Sequence, residues 1–236
     1  MRNRIGIALI ATGLVMSVGI GVGLWFVGDG FRARAVTGVS STGSAVIPAT
    51  ADAAAWSITI GARDTDPAVA AKRVASALPK VRAYFTSAGL RADQVSVGSL
   101  NTYTSNDGGM QQTDASLSLT VRSTDVQQIA NLNTKVMDLL AVVPGVNLNT
   151  NQPQYTLSKL ETLRPQVQEA AVRDARHRAE IMAQALGVRL GAATSVQSGS
   201  ITVTSPDVIE GDYGGYDLTT IAKRVRAVVT VTFAVQ

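Results

Sequence analysis

The chain has 236 residues, with 21 basic and 17 acidic side chains, 46% hydrophobic and 5% aromatic residues, and no cysteine. The lack of cysteine excludes disulfides, thiol nucleophiles and cysteine-based metal or iron–sulfur sites. The small charge excess, with no run of five or six like charges and few aromatic residues, argues against a nucleic-acid surface. We therefore expect no nucleic-acid partner, and a domain held by its apolar core, by oligomerisation or by both.

The N-terminal region holds an uncharged run of 23 residues, from 5 to 27. At about 1.5 Å per residue, a helix of this length spans the roughly 30 Å of bilayer hydrocarbon. The run predicts a transmembrane signal anchor over residues 5–27, after a cytoplasmic tail of residues 1–4 and before a linker of residues 28–35. The alternatives are a buried soluble helix and a cleaved signal peptide, for which an Ala-x-Ala occurs at Ala33-Arg34-Ala35.

Residues within and next to the predicted anchor indicate how it packs and which way it is oriented. Gly19-x-x-x-Gly23 is a spacing that packs helices together in lipid, and Trp25 and Phe26 lie where aromatic rings favour the membrane interface. Two arginines precede the span and two follow it, so the count of positive residues does not decide the topology. A short cytoplasmic tail with the large domain exported is the simpler arrangement.

Two strands are predicted first after the linker. Val36 to Val46 is rich in small and β-branched residues, and Pro48 is expected to end this strand. Ala53 to Ala62 alternates apolar and polar residues with the period of a half-buried strand. Together they predict a hairpin.

The first predicted helix begins at Asp66-Pro67, an N-cap followed by proline at the first helical position, and Gly89 stops it. Pro79 lies inside and predicts a bend, or a break into two helices, because it removes one backbone hydrogen bond. Five apolar residues at three- and four-residue steps form the expected inward face: Ala70, Val74, Leu78, Val81 and Phe85.

A second strand pair, a helix and a strand follow. Val95 to Tyr103 and Ala115 to Val121 are the predicted strands, joined by the turn cluster of residues 105–109. One continuous helix is predicted from Thr124 or Asp125 to Pro144, and then a single strand over Val146 to Leu157. The expected inward residues of the helix are Val126, Ile129, Leu132, Val136, Leu139 and Leu140.

The third predicted helix spans about Ser158 to Leu186 and ends at Gly187. Its opposite face is charged, and Glu169–Arg173 and Asp174–Arg178 have the i,i+4 spacing of stabilising ion pairs. The predicted apolar stripe consists of Leu160, Leu163, Val167, Ala171, Ala175, Ala179, Met182 and Leu186.

The C-terminal region returns to β-structure. Ser195 to Thr204 and the strongly alternating Arg224 to Val235 are predicted strands, separated by the polar, glycine-rich loop of residues 205–217. The order ββα, ββα, βα, ββ predicts an α+β fold: antiparallel sheets with helices packed on one face, two ββα-like units, a long third helix and C-terminal strands.

The chain offers few candidates for chemistry. His177 is the sole histidine and lies among arginines, without the partners that orient a catalytic base, and no G-x-S-x-G occurs. The loop at 205–217 carries four carboxylates, which calcium favours, but their spacing is not that of an EF-hand and an ordinary hairpin tip is the simpler interpretation: Asp207, Glu210, Asp212 and Asp217. We assign no catalytic residue, no cofactor and no metal.

Residues 169–180 of the third helix read EAAVRDARHRAE and are followed by AQALG at 183–187 and by Leu190-Gly191. This pattern resembles the signature helix of the SIMPL-domain family, which reads A-x-x-D-A-R-x-K-A-x-x-L-A-x-x-x-G-x-x-L-G. Here arginine replaces the usual lysine at 178 and methionine the usual leucine at 182. The similarity covers about residues 36–236 and extends to these segments: Val36-Thr37-Gly38 with Gly43, Asp93 to Tyr103, Gly145-Val146-Asn147 and Val225 to Val235.

One departure concerns the first hairpin. Many family members carry a Pro-Asp pair early in the second strand, whereas Pro48 and Asp52 are separated here. The resemblance implies an exported bacterial envelope protein. Together with the predicted anchor, it leads us to expect a single-pass protein of the inner membrane with its domain in the periplasm or outside the cell. Some relatives assemble into large rings and others are linked to stress tolerance, and the family supplies no catalytic residue set.

Two functions from different classes follow. The first is a self-assembling structural or interaction module, anchored to the lipid bilayer, in which Asp174 and Arg176 are structural. The second is an envelope enzyme or small-ligand binder that uses a pocket near these two residues and the 205–217 loop. A homo-oligomer is expected because the exported part has 19 basic and 17 acidic residues, a net +2, and the strand at 224–235 would be a long apolar edge if uncovered.

Overall fold

The structure is a computed structural model that describes residues 38–107, 109–207 and 215–236. The predicted tail, membrane anchor and linker at residues 1–35 lie outside the described residues. In the described part of the chain, no helix combines the length and apolar character that crossing a bilayer requires.

The fold is α+β with antiparallel sheets, as the sequence predicts. The described residues contain four α-helices: α1 (Pro67–Ser87), α2 (Val126–Thr134), α3 (Val136–Val142) and α4 (Leu160–Ala185). They also contain nine strands: β1 (Gly38–Thr50), β2 (Ala53–Asp64), β3 (Val95–Asp107), β4 (Met110–Ser123), β5 (Asn147–Thr150), β6 (Gln154–Thr156), β7 (Leu190–Ser198), β8 (Thr202–Thr204) and β9 (Ala222–Val235).

The chain divides into two compact units. The larger unit contains Ser44–Val172 and Ser198–Val228. The smaller unit contains Arg173–Gln197, Val229–Gln236 and the chain up to Gly43. The chain passes between the two units four times, and the single domain over residues 36–236 stays a prediction.

The larger unit is organised around a five-stranded sheet with the order β3-β4-β2-β5, in which β6 also pairs with β2. The predicted second hairpin is confirmed as the antiparallel pair β3–β4, with strands longer than expected. Apolar and polar residues alternate along β2 and β4, so one face of the pair is apolar and buried. On this face apolar residues lie opposite one another across the two strands: Trp56 with Val121, Ile58 with Leu119 and Ile60 with Leu117.

Helix α1 begins as predicted, with the Asp66 carboxylate accepting a hydrogen bond from the Ala68 N–H at 2.8 Å. It runs through Pro79 without the break that was the alternative. The inward face differs at one position, since Ala77 is buried whereas Leu78 is only partly buried. The buried residues are Ala70, Val74, Ala77, Val81 and Phe85.

The prediction of one continuous second helix is wrong. The helix is interrupted at Lys135, whose N–H bonds the Leu132 carbonyl at 3.0 Å, a tighter turn than that of an α-helix. The hydroxyl of Thr134 bonds the Asn131 carbonyl at 2.7 Å, which also favours ending the helix there. After the interruption Leu139 remains buried, but Leu140 is exposed, contrary to the expected inward face.

The expected single strand at 146–157 is also replaced by two short strands, β5 and β6, which both pair with β2. Pro153 lies between them and has no N–H to donate to a sheet. The intervening Asn151 is held instead through its backbone, since its N–H bonds the Ser57 carbonyl at 3.2 Å and its carbonyl accepts from the Trp56 indole at 2.9 Å.

The predicted hairpin of the first two strands is wrong, because β1 and β2 belong to different sheets. Strand β1 lies in a four-stranded sheet with the order β1-β9-β7, in which β8 also pairs with β9. The link between β1 and β2 forms no tight turn: the Ala51 N–H bonds the Ile221 carbonyl and the Asp52 N–H bonds the Thr156 carbonyl, at 2.8 and 3.0 Å. Pro48 does not end β1, which continues to Thr50. An edge strand tolerates a proline because one row of its N–H groups has no partner.

Helix α4 ends at Gly187 as predicted, where a positive φ of 71° allows the Val188 N–H to bond the Ala183 carbonyl at 3.0 Å. The C-terminal part of the predicted apolar stripe is wrong. Met182 and Leu186 are 37% and 69% exposed. Alanines at four-residue steps occupy the inward face instead: Val167 is followed by Ala171, Ala175, Ala179 and Ala183.

The last strands are partly as predicted. The expected strand at 195–204 is two strands, β7 and β8, which are separated at Gly199. The N–H of Gly199 bonds the Val228 carbonyl at 2.9 Å, and a Cβ there would lie 3.0 Å from that oxygen. The alternation of β9 is confirmed and extends further toward its start than predicted, so that Lys223 joins its buried face with five apolar residues: Val225, Ala227, Val229, Val231 and Phe233.

Candidate functional site

The two residues singled out on the third helix are engaged in ion pairs along α4. The Asp174 carboxylate accepts from the Arg178 guanidinium at 2.9 Å, as the i,i+4 spacing predicts. Arg176 donates to Glu180, also at 2.9 Å. Except for Asp174, which is half-buried, these side chains are exposed. Each cation is therefore directed to a carboxylate of its own helix.

The carboxylates of the 205–217 loop do not form one cluster in the described residues. Glu210 and Asp212 lie outside the described residues, and Asp207 is exposed. In the part of the chain that the structure describes, no three acidic or histidine side chains are placed to hold a metal ion. His177 is exposed on α4.

Asp217 has a different environment, since it pairs with a buried lysine. The ammonium group of Lys223 is 2.8 Å from the Asp217 carboxylate and 2.7 Å from its backbone carbonyl. Lys223 is only 1% exposed. The same carboxylate accepts from the Thr219 N–H at 2.8 Å, the Thr219 hydroxyl at 2.7 Å and the Thr220 hydroxyl.

The protonation of Asp217 follows from these contacts. Burial by itself raises the pKa of a carboxyl group, because it disfavours the charged form. The hydrogen bonds from Lys223, Thr220 and Thr219 outweigh this effect and hold the pKa of Asp217 well below its ordinary value. Asp217 is thus a charged carboxylate, and its hydrogen bonds give it a structural role.

Sequence reasoning missed Lys223, although a signal was present. Extending the alternation of β9 from Val225 by one step places a lysine in the buried column. A buried lysine requires a partner, because an unpaired charge in an apolar interior is costly. The nearby Asp217 is the carboxylate that this argument would have selected.

Asp52 is a second structural carboxylate that the sequence did not single out. Its two oxygens accept from the N–H and the hydroxyl of Ser158, at 2.6 and 2.9 Å. Burial opposes ionisation of Asp52, but the bonds from Ser158 lower its pKa below the ordinary value. The residue therefore connects the end of β1 to the segment that leads into α4.

Several surface depressions lie in the larger unit, one of them between α1 and α2. The α1–α2 groove has a volume of about 510 Å³, and its polar lining includes Tyr84, Asp125, Gln128, Asn131, Lys135 and Asp138. Several of these groups already have partners: Gln128 donates to the Ala88 carbonyl, and Asp125 caps α2 by accepting from the Gln128 N–H. Burial, with a smaller contribution from Asp138, raises the pKa of Tyr84.

Another depression lies in the smaller unit, between an edge strand and a helix. The β1–α4 groove has a volume of about 440 Å³ and is lined by Ser40, Ser41, Thr42, Arg178, Ile181 and Met182. The Ser41 hydroxyl is buried and has no hydrogen-bond partner in the described residues. This groove combines the apolar side chains of Ile181 and Met182, the Arg178 cation and the buried, unsatisfied Ser41 hydroxyl.

The fold and these surfaces define an α+β domain with structural charge pairs and several surface grooves. The SIMPL family, described as a protein of unknown function (DUF541), matches residues 39–233. The match covers most of the chain, so the protein belongs to the SIMPL family, and the resemblance of its third helix is confirmed. No curated protein matches the chain.

Proposed function

We propose that this protein is a membrane-anchored envelope protein whose SIMPL domain is exported and self-assembles as a structural or interaction module. In this proposal residues 5–27 anchor the chain in the inner membrane of a bacterium, and the domain lies in the periplasm or outside the cell. A contribution to envelope stress tolerance is part of the proposal through the family resemblance alone.

The exposed edge strand β7 is the observation that supports self-assembly. It lies at the edge of the order β1-β9-β7, and it runs for nine residues without a charge or a proline. Seven of its nine residues are exposed, and Val196 is 59% exposed. Proteins usually protect such edges with charges, bulges or a covering element, because an open edge pairs with other chains.

The other sheet supports this argument by contrast. Its edge strand β3 has an irregular register between Val97 and Leu100, a feature that disrupts pairing along the edge. Strand β7 has no charged residue in its central segment, so a second copy of the chain is a suitable neighbour. Parallel membrane anchors would favour closed cyclic symmetry around the membrane normal.

The test of self-assembly is the mass of the full-length protein in detergent, measured by light scattering with the detergent contribution subtracted. We expect a mass well above the 24.6 kDa of one chain. Val196→Lys should lower this mass, because an edge lysine opposes strand pairing. Met137→Lys is the matched control, since Met137 is an exposed apolar residue of α3, and it should leave the mass unchanged. A monomeric wild-type protein would refute self-assembly, and equal masses of all three proteins would refute the role of β7.

The anchor has a separate test. The intact mass of protein extracted from membranes should include the N-terminal residue Met1 or Arg2. A mature protein that begins at Val36 would show instead that the N-terminal segment is a cleaved signal peptide.

A further inference from the structure

The β1–α4 groove has an open strand edge as one wall. Within the described residues, β9 is the strand that pairs with β1, which leaves the second edge of β1 without a strand partner. A strand edge exposes a row of backbone N–H and C=O groups that favour pairing with an extended chain. Three residues of β1, from Ser40 to Thr42, line the groove, which corresponds to about 10 Å of strand.

The hydroxyl groups of these three residues are not equivalent. The Thr42 hydroxyl bonds that of Thr230 on β9 at 2.9 Å, and the Ser40 hydroxyl accepts a long bond of 3.4 Å from Thr232. Ser41, which points to the opposite face by the alternation of a strand, is 4% exposed and its hydroxyl has no partner in the described residues. This hydroxyl lowers the stability of the fold, because a buried polar group without a partner costs free energy.

The opposite wall supplies apolar and cationic contacts. Ile181 is 54% exposed, and Met182 is a flexible side chain of the kind that adapts to varied partners. Arg178 lines the same groove. Its Nε is bonded to Asp174, which fixes the guanidinium in place and leaves donors for a carbonyl or carboxylate oxygen.

We propose that the β1–α4 groove binds an extended polypeptide segment, which adds alongside β1 and places apolar side chains on Ile181 and Met182. The backbone of the segment would complete the open edge of β1. A carbonyl or terminal carboxylate of the segment would face Arg178. Addition of a strand to an open sheet edge is an established mode of peptide recognition, in which the backbone supplies affinity and side-chain pockets supply specificity.

A polypeptide fits these walls better than other occupants do. An acyl chain would cover Ile181 and Met182 but would leave the backbone edge of β1 without partners. A second copy of the chain is the competing occupant, and variants of the groove and of β7 distinguish the two, because the proposed assembly uses β7. The peptide site therefore does not depend on the proposed assembly.

The test uses the full-length protein in detergent and a fluorescein-labelled hexapeptide of alternating valine and threonine with a free carboxyl terminus. We expect saturable binding by fluorescence anisotropy. The same peptide with alternate amides N-methylated should bind at least tenfold more weakly, because it lacks the backbone donors of a strand. Ile181→Glu should weaken binding of the unmodified peptide at least tenfold.

Two further variants distinguish recognition from a general structural effect. Leu186→Glu is the matched control, because Leu186 is an exposed apolar residue next to α4 that does not line the groove, and it should bind like the wild type. Ser41→Ala should leave peptide binding unchanged, because the buried hydroxyl is out of reach of the segment, and the melting temperature should stay equal or rise, since the change removes an unsatisfied hydroxyl.

Several outcomes would overturn the proposal. The absence of saturable binding, or equal binding of the N-methylated peptide, would exclude strand addition at β1. Competition by phosphatidylglycerol vesicles but not by unlabelled peptide would identify an acyl chain as the occupant. A loss of assembly mass in Ile181→Glu without a change in peptide affinity would assign the groove to a second copy of the chain.

Discussion

Helices α1 and α4 use apolar residues in opposite ways. Helix α1 buries large residues such as Val74, Val81 and Phe85. The C-terminal half of α4 buries alanines, whereas Ile181 and Met182 are exposed. Burial thus makes α1 part of the core of the larger unit, while these two bulky residues of α4 lie at the surface. Residue type alone does not reveal this difference, because both helices repeat apolar residues at helical spacing.

Truncation of Phe85 should have the largest effect. Phe85 is fully buried and stands edge-on to Trp56, with ring centroids 6.2 Å apart. Phe85→Ala should lower the free energy of unfolding by about 3–5 kcal/mol, from lost burial and the cavity left behind. Leu186→Ala, beside the exposed end of α4, should change it by less than about 0.5 kcal/mol. Equal losses in urea unfolding would contradict the contrast between the two helices.

The same contrast between buried and exposed contacts applies to charge pairs. Asp217→Asn should lower the free energy of unfolding by about 3 kcal/mol, because it leaves the buried Lys223 ammonium without its counter-charge. The double change Asp217→Asn with Lys223→Met removes both charges and should recover part of the loss. Chemical denaturation of the three proteins measures this, and a fully stable Asp217→Asn would show that the pair contributes nothing.

Acid should weaken this pair in a defined direction. The pKa of Asp217 is lowered in the folded protein from its ordinary value of 3.8. Its ionisation therefore stabilises the fold above about pH 4, and this contribution is lost as the pH falls further toward the folded-state pKa. Melting temperatures measured between pH 7 and pH 2 should fall less steeply below pH 4 for Asp217→Asn than for the wild type. Parallel curves would contradict the assignment.

The buried alanines of α4 allow a test with a smaller expected effect on the free energy of unfolding. Ala179 is fully buried, so Ala179→Leu should overpack the site and cost about 1–3 kcal/mol. Ala185→Leu on the same helix is the control, because Ala185 is exposed. Thermal unfolding should separate the two variants, and a stable Ala179→Leu would indicate that the inward face of α4 has room for large residues.

Asp174→Ala should have the smallest effect, below about 1 kcal/mol, because Asp174 is only half-buried and its partner Arg178 is exposed to solvent. Alanine also favours the helix more than aspartate does, which offsets part of the loss. A loss comparable to that of Asp217→Asn, measured by thermal unfolding, would show that Asp174 has a stronger structural role than its exposed ion pair indicates.

The elements that local sequence could predict are those with a strong repeating pattern. Asp66-Pro67 fixed the start of α1, Gly187 the end of α4, and alternation identified β9. The positions of Met182 and Leu186 could not be predicted, because the apolar stripe of α4 has alternative members and only the packed sheet selects the alanines. The β1–α4 groove could not be predicted either, since Ser41 and Ile181 are far apart in sequence.

The sequence by itself determined the α+β class, the long signature helix, the SIMPL family and the prediction of a membrane anchor. These follow from local periodicity, capping residues and composition, which act over a few neighbouring residues. Only the tertiary structure decided that β1 leaves β2 for another sheet, that Lys223 is buried against Asp217, and that Ser41 lies buried beside α4. Each of these depends on contacts between distant segments, because hydrogen-bond partners and buried faces are chosen when the whole chain packs.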